Sequence, residues 1–243
     1  MHSLIDGILA ASRARGFARS AVWSPEMRRD LVASASACRE RDIIPIIAEI
    51  KPKAVGRELS PFEVAGYAEA YARCQACAIS VLTEPTHFLG SLENAKIARR
   101  AGLPVLRKDF IFDERQLSEV QADLVLLIAA LGIDLDRFVA AARSLGMEPL
   151  VEVHTEAEME AALMTDARII GINNRNLSTL EIDLGVFERL APLAKQAGVF
   201  LIAESGVHSR TDAERMILAG ADALLVGTEL MGEPERLEEL NRI

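Results

Sequence analysis

Three observations predict an α/β protein, a single-domain (β/α)8 TIM barrel with an N-terminal helical extension. Eight short apolar, β-branched runs recur along the chain, segments of helical periodicity separate them, and titratable residues gather at one end of the runs. The runs are "IIPIIAEI" (43–50), "CAISVLT" (77–83), "LPVLRK" (103–108), "DLVLLIA" (123–129), "EPLVEV" (148–153), "RIIGIN" (168–173), "VFLIAES" (199–205) and "DALLVG" (222–227). Runs that are apolar throughout mark strands buried on both faces, as in a parallel sheet covered by helices. Eight such strands close a barrel. A doubly wound open sheet is the alternative, but no GxGxxG follows the first run.

Taken in order, residues 1–42 precede the first strand and read as a helical extension packed on the barrel, which spans 43–243. Pro52 ends the first strand. Segments such as "PFEVAGYAEAYARC", "DLDRFVAAARSLG" and "RTDAERMILAG" carry the Ala, Glu, Leu and Arg content of helices. Gly102, Gly146, Gly198 and Gly220 stand just before the next strand and suit helix C-caps. The link "DFIFDERQLSEVQA" leaves room for only a stunted helix. No low-complexity linker divides the chain.

The totals narrow the function. A chain of 243 residues, half apolar and 26% charged, is an ordinary globular protein with room for one large core. A net charge of −9 with no Lys/Arg run beyond two residues argues against nucleic acid or an anionic membrane as partner. An anionic small molecule needs only a few local cations. Cys74 and Cys77 form a CxxC, read either as a redox pair or, better, as packing residues before "CAISVL". Cys38 stands alone, and four scattered histidines lack ligand spacing, so no metal site is expected. The N-terminus lacks a signal-peptide pattern and no 18-residue apolar span occurs, so the expected location is cytoplasmic. Oligomeric state is open between a monomer and a small homo-oligomer.

The charges sit where chemistry is expected. Glu49 and Lys51, two apart on a strand, share a face. By themselves they read either as a ragged strand end in solvent or as groups aimed into the barrel mouth. The other carboxyl ends decide between these: Thr83 and Glu84, Lys108 and Asp109, Glu152, Asn173 to Arg175, Glu204 and Ser205, Gly227 and Thr228. Active sites of this barrel form at that rim. Ser205–Gly206 and Gly227–Thr228 offer backbone N–H groups after the last two strands, the usual phosphate site of the fold, with the residues after Thr228 expected to begin a short helix. Lys51 is the adjacent cation, and the ligand is expected to carry a phosphate.

The motifs "IIAEIK", "SVLTE…HFLGS", "LPVLRKDFI", "LGMEPLVEVH", "IGINNRNLSTLEIDL", "AESG" and "LLVGTELM", in this order over about residues 43 to 231, resemble those of indole-3-glycerol phosphate synthase of tryptophan biosynthesis. The short link before "ADLVLLIA" is similar to that of archaeal members. The resemblance implies a lyase that closes 1-(2-carboxyphenylamino)-1-deoxyribulose 5-phosphate to indole-3-glycerol phosphate with loss of CO2 and water, with no metal or organic cofactor. It implies Lys108 as general acid, with a pKa lowered by Lys51 and burial. Glu152 is implied as general base of the dehydration, with Glu49 and Lys51 assisting. Asn173 is implied to hold developing oxygens, and Glu204 to anchor the lysine network and a ribulose hydroxyl. Phe88, Phe110 and Leu177 would wall the anthranilate ring, although each equally suits ordinary core, and Arg175 would steady the site or the substrate carboxylate.

One departure stands out. Family members typically follow "EIK" with a Ser-Pro-Ser segment, and Ala54–Val55 stands in place of its first two residues here. Lys53 or Arg57 is then expected to grip the substrate carboxylate instead. Two other readings follow from the residues: another phosphate-binding barrel such as a sugar-phosphate isomerase or epimerase, and a catalytically weakened phosphate-ligand-binding relative.

Overall fold

The computed structural model describes residues 3–18 and 28–242. Helices α1 (Ser3–Arg15) and α2 (Leu31–Arg39) come first, followed by β1 (Ile46–Ile50), a 3-10 turn at Pro52–Val55, α3 (Pro61–Arg73), β2 (Ala78–Leu82), α4 (Pro85–Phe88) and α5 (Leu92–Ala98). The middle holds β3 (Val105–Lys108), α6 (Glu114–Leu117), β4 (Leu124–Ile128), α7 (Leu135–Ser144), β5 (Glu148–Val153) and α8 (Glu156–Leu163). The last part runs through β6 (Ile169–Asn173), α9 (Gly185–Ala197), β7 (Phe200–Glu204), α10 (Arg210–Leu218), β8 (Ala223–Val226) and α11 (Arg236–Asn241). All eight expected strands form; β5 keeps its expected bounds and the others are shorter by one to three residues at an end, where backbone turns into loops. The stunted helix after β3 is the single turn α6.

The strands pair in parallel and in sequence order, and β1 also pairs with β8, so the barrel is closed. Two-residue alternation sorts each strand into an inner and an outer set. Ile47, Leu106, Leu126, Leu150, Ile202 and Leu225 fill the barrel, while Ile46, Val81, Val125, Val151, Ile170 and Leu224 pack against the helix layer. Both faces are therefore apolar, which is why the strands read as unbroken runs.

Helix caps place the connections. Ser60 and Glu63 form a capping box at α3, and Ser209 and Asp212 form one at α10. Gly102, Gly146, Gly198 and Gly220 all take positive φ, the conformation a side chain resists, just ahead of the next strand.

The N-terminal segment touches both ends of the barrel. Leu31, Ala35 and Cys38 of α2 seal its amino end, with Ser34 Oγ donating to the Cys77 carbonyl at 2.6 Å. Ile5 and Leu9 of α1 lie at the opposite mouth, and the backbone N–H of Ala18 donates to Glu119 at 2.8 Å. Of the helical expectation over 1–42, residues 1, 2 and 19–27, with His2 among them, lie outside the described residues. Among the described residues no helix is long and apolar enough to cross a membrane.

Candidate active site

Inward parity carries Glu49, Lys108, Glu152, Asn173 and Glu204 to the carboxyl mouth, one pleat above Ile47, Leu106, Leu150, Gly171 and Ile202. Lys108 is the hub. Its Nζ lies 2.8 Å from Glu204 Oε2, 3.7 Å from Glu49 Oε2 and 3.9 Å from Glu152 Oε2. All three carboxylates are buried. Two glycines make room for them: a Cβ on Gly171 would sit 2.1 Å from Glu204 Oε1, and one on Gly227 would sit 2.6 Å from Glu49 Oε1.

The electrostatics correct one expectation. Burial alone would depress the Lys108 pKa, but Glu204, Glu49 and Glu152 outweigh it and hold the ammonium well above the ordinary lysine value. The lowered lysine is Lys51, chiefly through burial and then through Lys108, Arg175 and Lys53, with Glu49 opposing. Glu204 is pushed up to about 7 by burial and the nearby Glu152, against the pull of Lys108. Glu152 goes the other way: burial works to raise it, but His154, Lys108 and Asn173 hold it down at about 2.

The rim of β7, β8 and β1 is polar and open-backboned. Ser205 and Gly206 both take positive φ, and Asn174 fixes the loop by donating from Nδ2 to the Ser205 carbonyl at 3.1 Å. Thr228 opens a 3-10 turn over Thr228–Leu230, and Lys51 Nζ lies 3.5 Å from its Oγ1. Glu229, next along, is paired with Arg236 at 2.6 Å and also contacts His208 Nδ1 at 2.9 Å. An anion at this rim therefore meets Lys51 and backbone donors with no free carboxylate from Glu229.

Phe88 and Phe110 form one wall of the mouth, stacked with centroids 5.9 Å apart and an interplanar angle of 29°. Leu177, Leu131, Ile5 and Leu9 line the other side, in a cavity of about 510 Å³ that also contains Arg175, Asn173 and His154. Asn173 Oδ1 accepts from the Arg175 backbone N–H at 3.0 Å, which fixes the amide. Lys53 Nζ hangs 5.1 Å above the Phe88 ring, at the edge of the aromatic wall. Arg57 does not join it: its guanidinium pairs with Glu63, with one contact at 2.5 Å, away from the mouth. Ala54 is exposed on the Pro52–Val55 turn.

Three rim residues turn to structural duty. Glu84 accepts from the backbone N–H groups of Thr86, His87 and Phe88 and caps α4. Thr83 and Asp109 have the opposite parity to Lys108 and join the wholly buried Arg107 with Glu119. Cys74 and Cys77 are buried free thiols whose pKa values burial raises, so they lack the thiolate character of a redox pair. Among the described residues no three His, Cys, Asp or Glu side chains converge to hold a metal ion. Sequence reasoning missed His154, which sits two residues beyond Glu152 on the same face and contacts it at 3.3 Å. The alternation in "LVEVH" was the available signal.

A family model described as indole-3-glycerol phosphate synthase matches residues 11–243. Curated indole-3-glycerol phosphate synthases are similar along most of their length. That of Halobacterium salinarum is 45% identical, covering 96% of this chain and 93% of the relative, and that of Haloarcula marismortui is 44% identical, covering 93% and 85%. A 3-hexulose-6-phosphate synthase structure superposes with a TM-score of 0.63 at 17% identity, over 81% of this chain and 98% of that one, which speaks for the barrel alone. The extent of the family match and the 45% identity over nearly the whole chain lead to one conclusion: this chain belongs to the indole-3-glycerol phosphate synthase family.

Proposed function

We propose that the Lys108 cluster is where this chain performs the reaction of its family, the closure of 1-(2-carboxyphenylamino)-1-deoxyribulose 5-phosphate to indole-3-glycerol phosphate with release of CO2 and water. The observation that carries the proposal is a single ammonium, Lys108, held among carboxylates from β1, β5 and β7 beside the anion-suited rim of Lys51 and Thr228. The phosphate binds at Ser205, Gly206, Gly227 and Thr228 with Lys51 as counter-ion. The anthranilate ring lies against Phe88 and Phe110, with Leu177 opposite. Lys53 and Arg175 face the substrate carboxylate from either side.

In this reading the ring carbon that bears the carboxylate attacks the ribulose carbonyl, and Lys108 gives its proton to the oxygen as the new carbon–carbon bond forms. The raised pKa keeps Lys108 charged at neutral pH, and a nascent alkoxide is basic enough to take its proton. Loss of CO2 returns the bonding pair to the ring. The new hydroxyl then leaves as water with a proton from an ammonium, assisted by Glu49 and Lys51. Glu152 takes the proton released by the ring carbon next to nitrogen. Asn173 and Glu204 hold hydroxyl oxygens, and Glu204 anchors Lys108.

The same proposal treats 1–42 as an extension on a 43–243 barrel. It places the enzyme in the cytoplasm as a monomer or small homo-oligomer, with a phosphorylated small molecule and no nucleic acid as partner; the net charge of −9 supports it. The test is product fluorescence with the carboxyphenylamino ribulose phosphate. Indole product from the wild type, lost in a Lys108→Ala/Glu152→Gln double variant, is expected. Equal turnover by both proteins would sink the assignment.

A further inference from the structure

Glu152 and Glu204 both face Lys108, yet their surroundings differ. Among the described residues Glu204 Oε2 accepts from Lys108, and Glu204 Oε1 is buried without a hydrogen-bond partner. Glu152 has a second cationic neighbour. His154 Nε2 lies 3.3 Å from Glu152 Oε1, and His154 Nδ1 lies 3.1 Å from Glu158 Oε2. Glu158 Oε2 also accepts from the His154 backbone N–H at 2.7 Å, so one carboxylate oxygen from the first turn of α8 holds both the backbone and the ring of His154. The result is a line of three groups, Glu158–His154–Glu152, running from the rim of the 510 Å³ cavity to the buried cluster.

We propose that His154, held by Glu158, is a positioning residue that keeps the ionised carboxylate of the cluster on Glu152 instead of Glu204. The inference rests on the reading of Glu152 as the base. Three carboxylates around one ammonium leave excess negative charge in a buried site, so one of them is the first to take up a proton. Among the described residues an imidazolium lies beside Glu152 and none beside Glu204, and that decides which. A base must be unprotonated to act, so the arrangement leaves Glu152 ready while Glu204 absorbs the proton.

The surrounding charges fit. Around Glu152 lie Lys108 on β3, Glu204 on β7 and the neutral Asn173 on β6, with Glu49 of β1 also in contact with Lys108. Around His154 lie Glu158 and Glu156 of α8, Arg175, Glu181 and Asp183 after β6, and Arg189 of α9. Arg189 is paired with Asp183 at 3.1 Å, and the Arg175 guanidinium donates to the Leu180 carbonyl at 3.2 Å. Glu158 and Glu152 are thus the two carboxylates in ion-pair contact with the imidazole, and they keep its pKa raised, to about 10, against burial.

The test is His154→Gln in the full chain, which keeps a hydrogen-bond donor but removes the charge. Turnover is followed by product fluorescence from about pH 5.5 to 9. Without the imidazolium, the proton that Glu204 takes up at about pH 7 is expected to fall on Glu152 instead, so an acid limb of kcat moves into this range. Turnover then falls roughly tenfold further at pH 6 than at pH 8.5, with KM little changed. A loss equal at every pH, or none, would overturn the proposal, since a purely structural role scales kcat without moving its limb. The second measurement does not need turnover. Nitrogen shifts of the labelled imidazole should show His154 titrating far above an ordinary histidine, and lower in Glu158→Gln and in Glu152→Gln. An ordinary titration in the wild type, or one unmoved by those variants, also overturns it. A wild type that makes no product but shows that titration pattern would instead remove the assignment of the reaction and leave the charge placement standing.

Discussion

Replacing Lys108 by Met removes the ammonium that contacts all three carboxylates while keeping most of the side-chain volume. Breaking a buried ion pair from one side costs about 3–5 kcal/mol, because the other charge is left behind. The 2.8 Å contact to the fully buried Glu204 puts this site in that class. The carboxylates can escape by binding protons, and Glu204 is already pushed up to about 7 by burial with the lysine present. Removing Lys108 raises it further, so the folded variant binds more protons than the unfolded chain, and its stability grows as pH falls. The expected loss is about 3 kcal/mol at pH 8.5 and about half of that at pH 6, or roughly 6–12 °C and 3–6 °C in melting temperature for a chain of this size. In the wild type the lysine adds a term of the same sign that acts only at high pH. A raised lysine pKa contributes stability in full below the unfolded value of 10.5, and loses it only as pH climbs through the folded one. Melting both proteins at both pH values measures the difference. A penalty that is equal at the two pH values, or larger at pH 6, would refute the charge-burial argument. Turnover should fall about 10²–10⁴-fold if Lys108 is the acid.

Other substitutions test the same geometry. Glu204 is raised from 4.5 to about 7, so the folded protein holds a proton that the unfolded chain has released, and stability declines as pH rises through that window. Glu204→Gln should flatten the decline in a urea titration, and a slope left intact would place the buried proton elsewhere. Gly171→Ala drives a methyl group into Glu204 and should cut kcat tenfold or more while costing about 1–3 kcal/mol of stability in chemical denaturation. Lys51→Met should raise KM about tenfold and weaken competitive inhibition by inorganic phosphate about as much, roughly 1.4 kcal/mol. Because burial lowers the Lys51 pKa, inhibition of the wild type should begin to fade at a lower pH than an ordinary lysine would allow.

Much of this site could be read along one dimension. The parity of "EIK" places Glu49 and Lys51 on one face, and the apolar runs locate the rim where they meet Lys108, Glu152 and Glu204. The missing information concerned distance between strands. Lys51 and Lys108 look like neighbours in a list of rim residues, whereas the closed barrel sets three carboxylates nearer to Lys108 and reverses its pKa shift. Glu84 looks like a rim acid but is drawn away by three backbone donors at the start of α4, a local competition that strand position does not reveal. Asp109 was legible and misread, since it follows an inward lysine and must face outward. Gly171 has no pattern of its own: its value lies in the space it leaves for a carboxylate from the neighbouring strand.

The pairing of β1 with β8 has a consequence in time. Lys51 and Thr228 flank that seam and are 177 residues apart in the chain. Contacts between such distant segments wait on the slow search that closes a long loop, while helices and neighbouring strands assemble early. A refolding chain can thus regain most of its helical signal with its two ends still apart. The anion rim would then lack one bank, and turnover would lag behind secondary structure until the last seam zips shut.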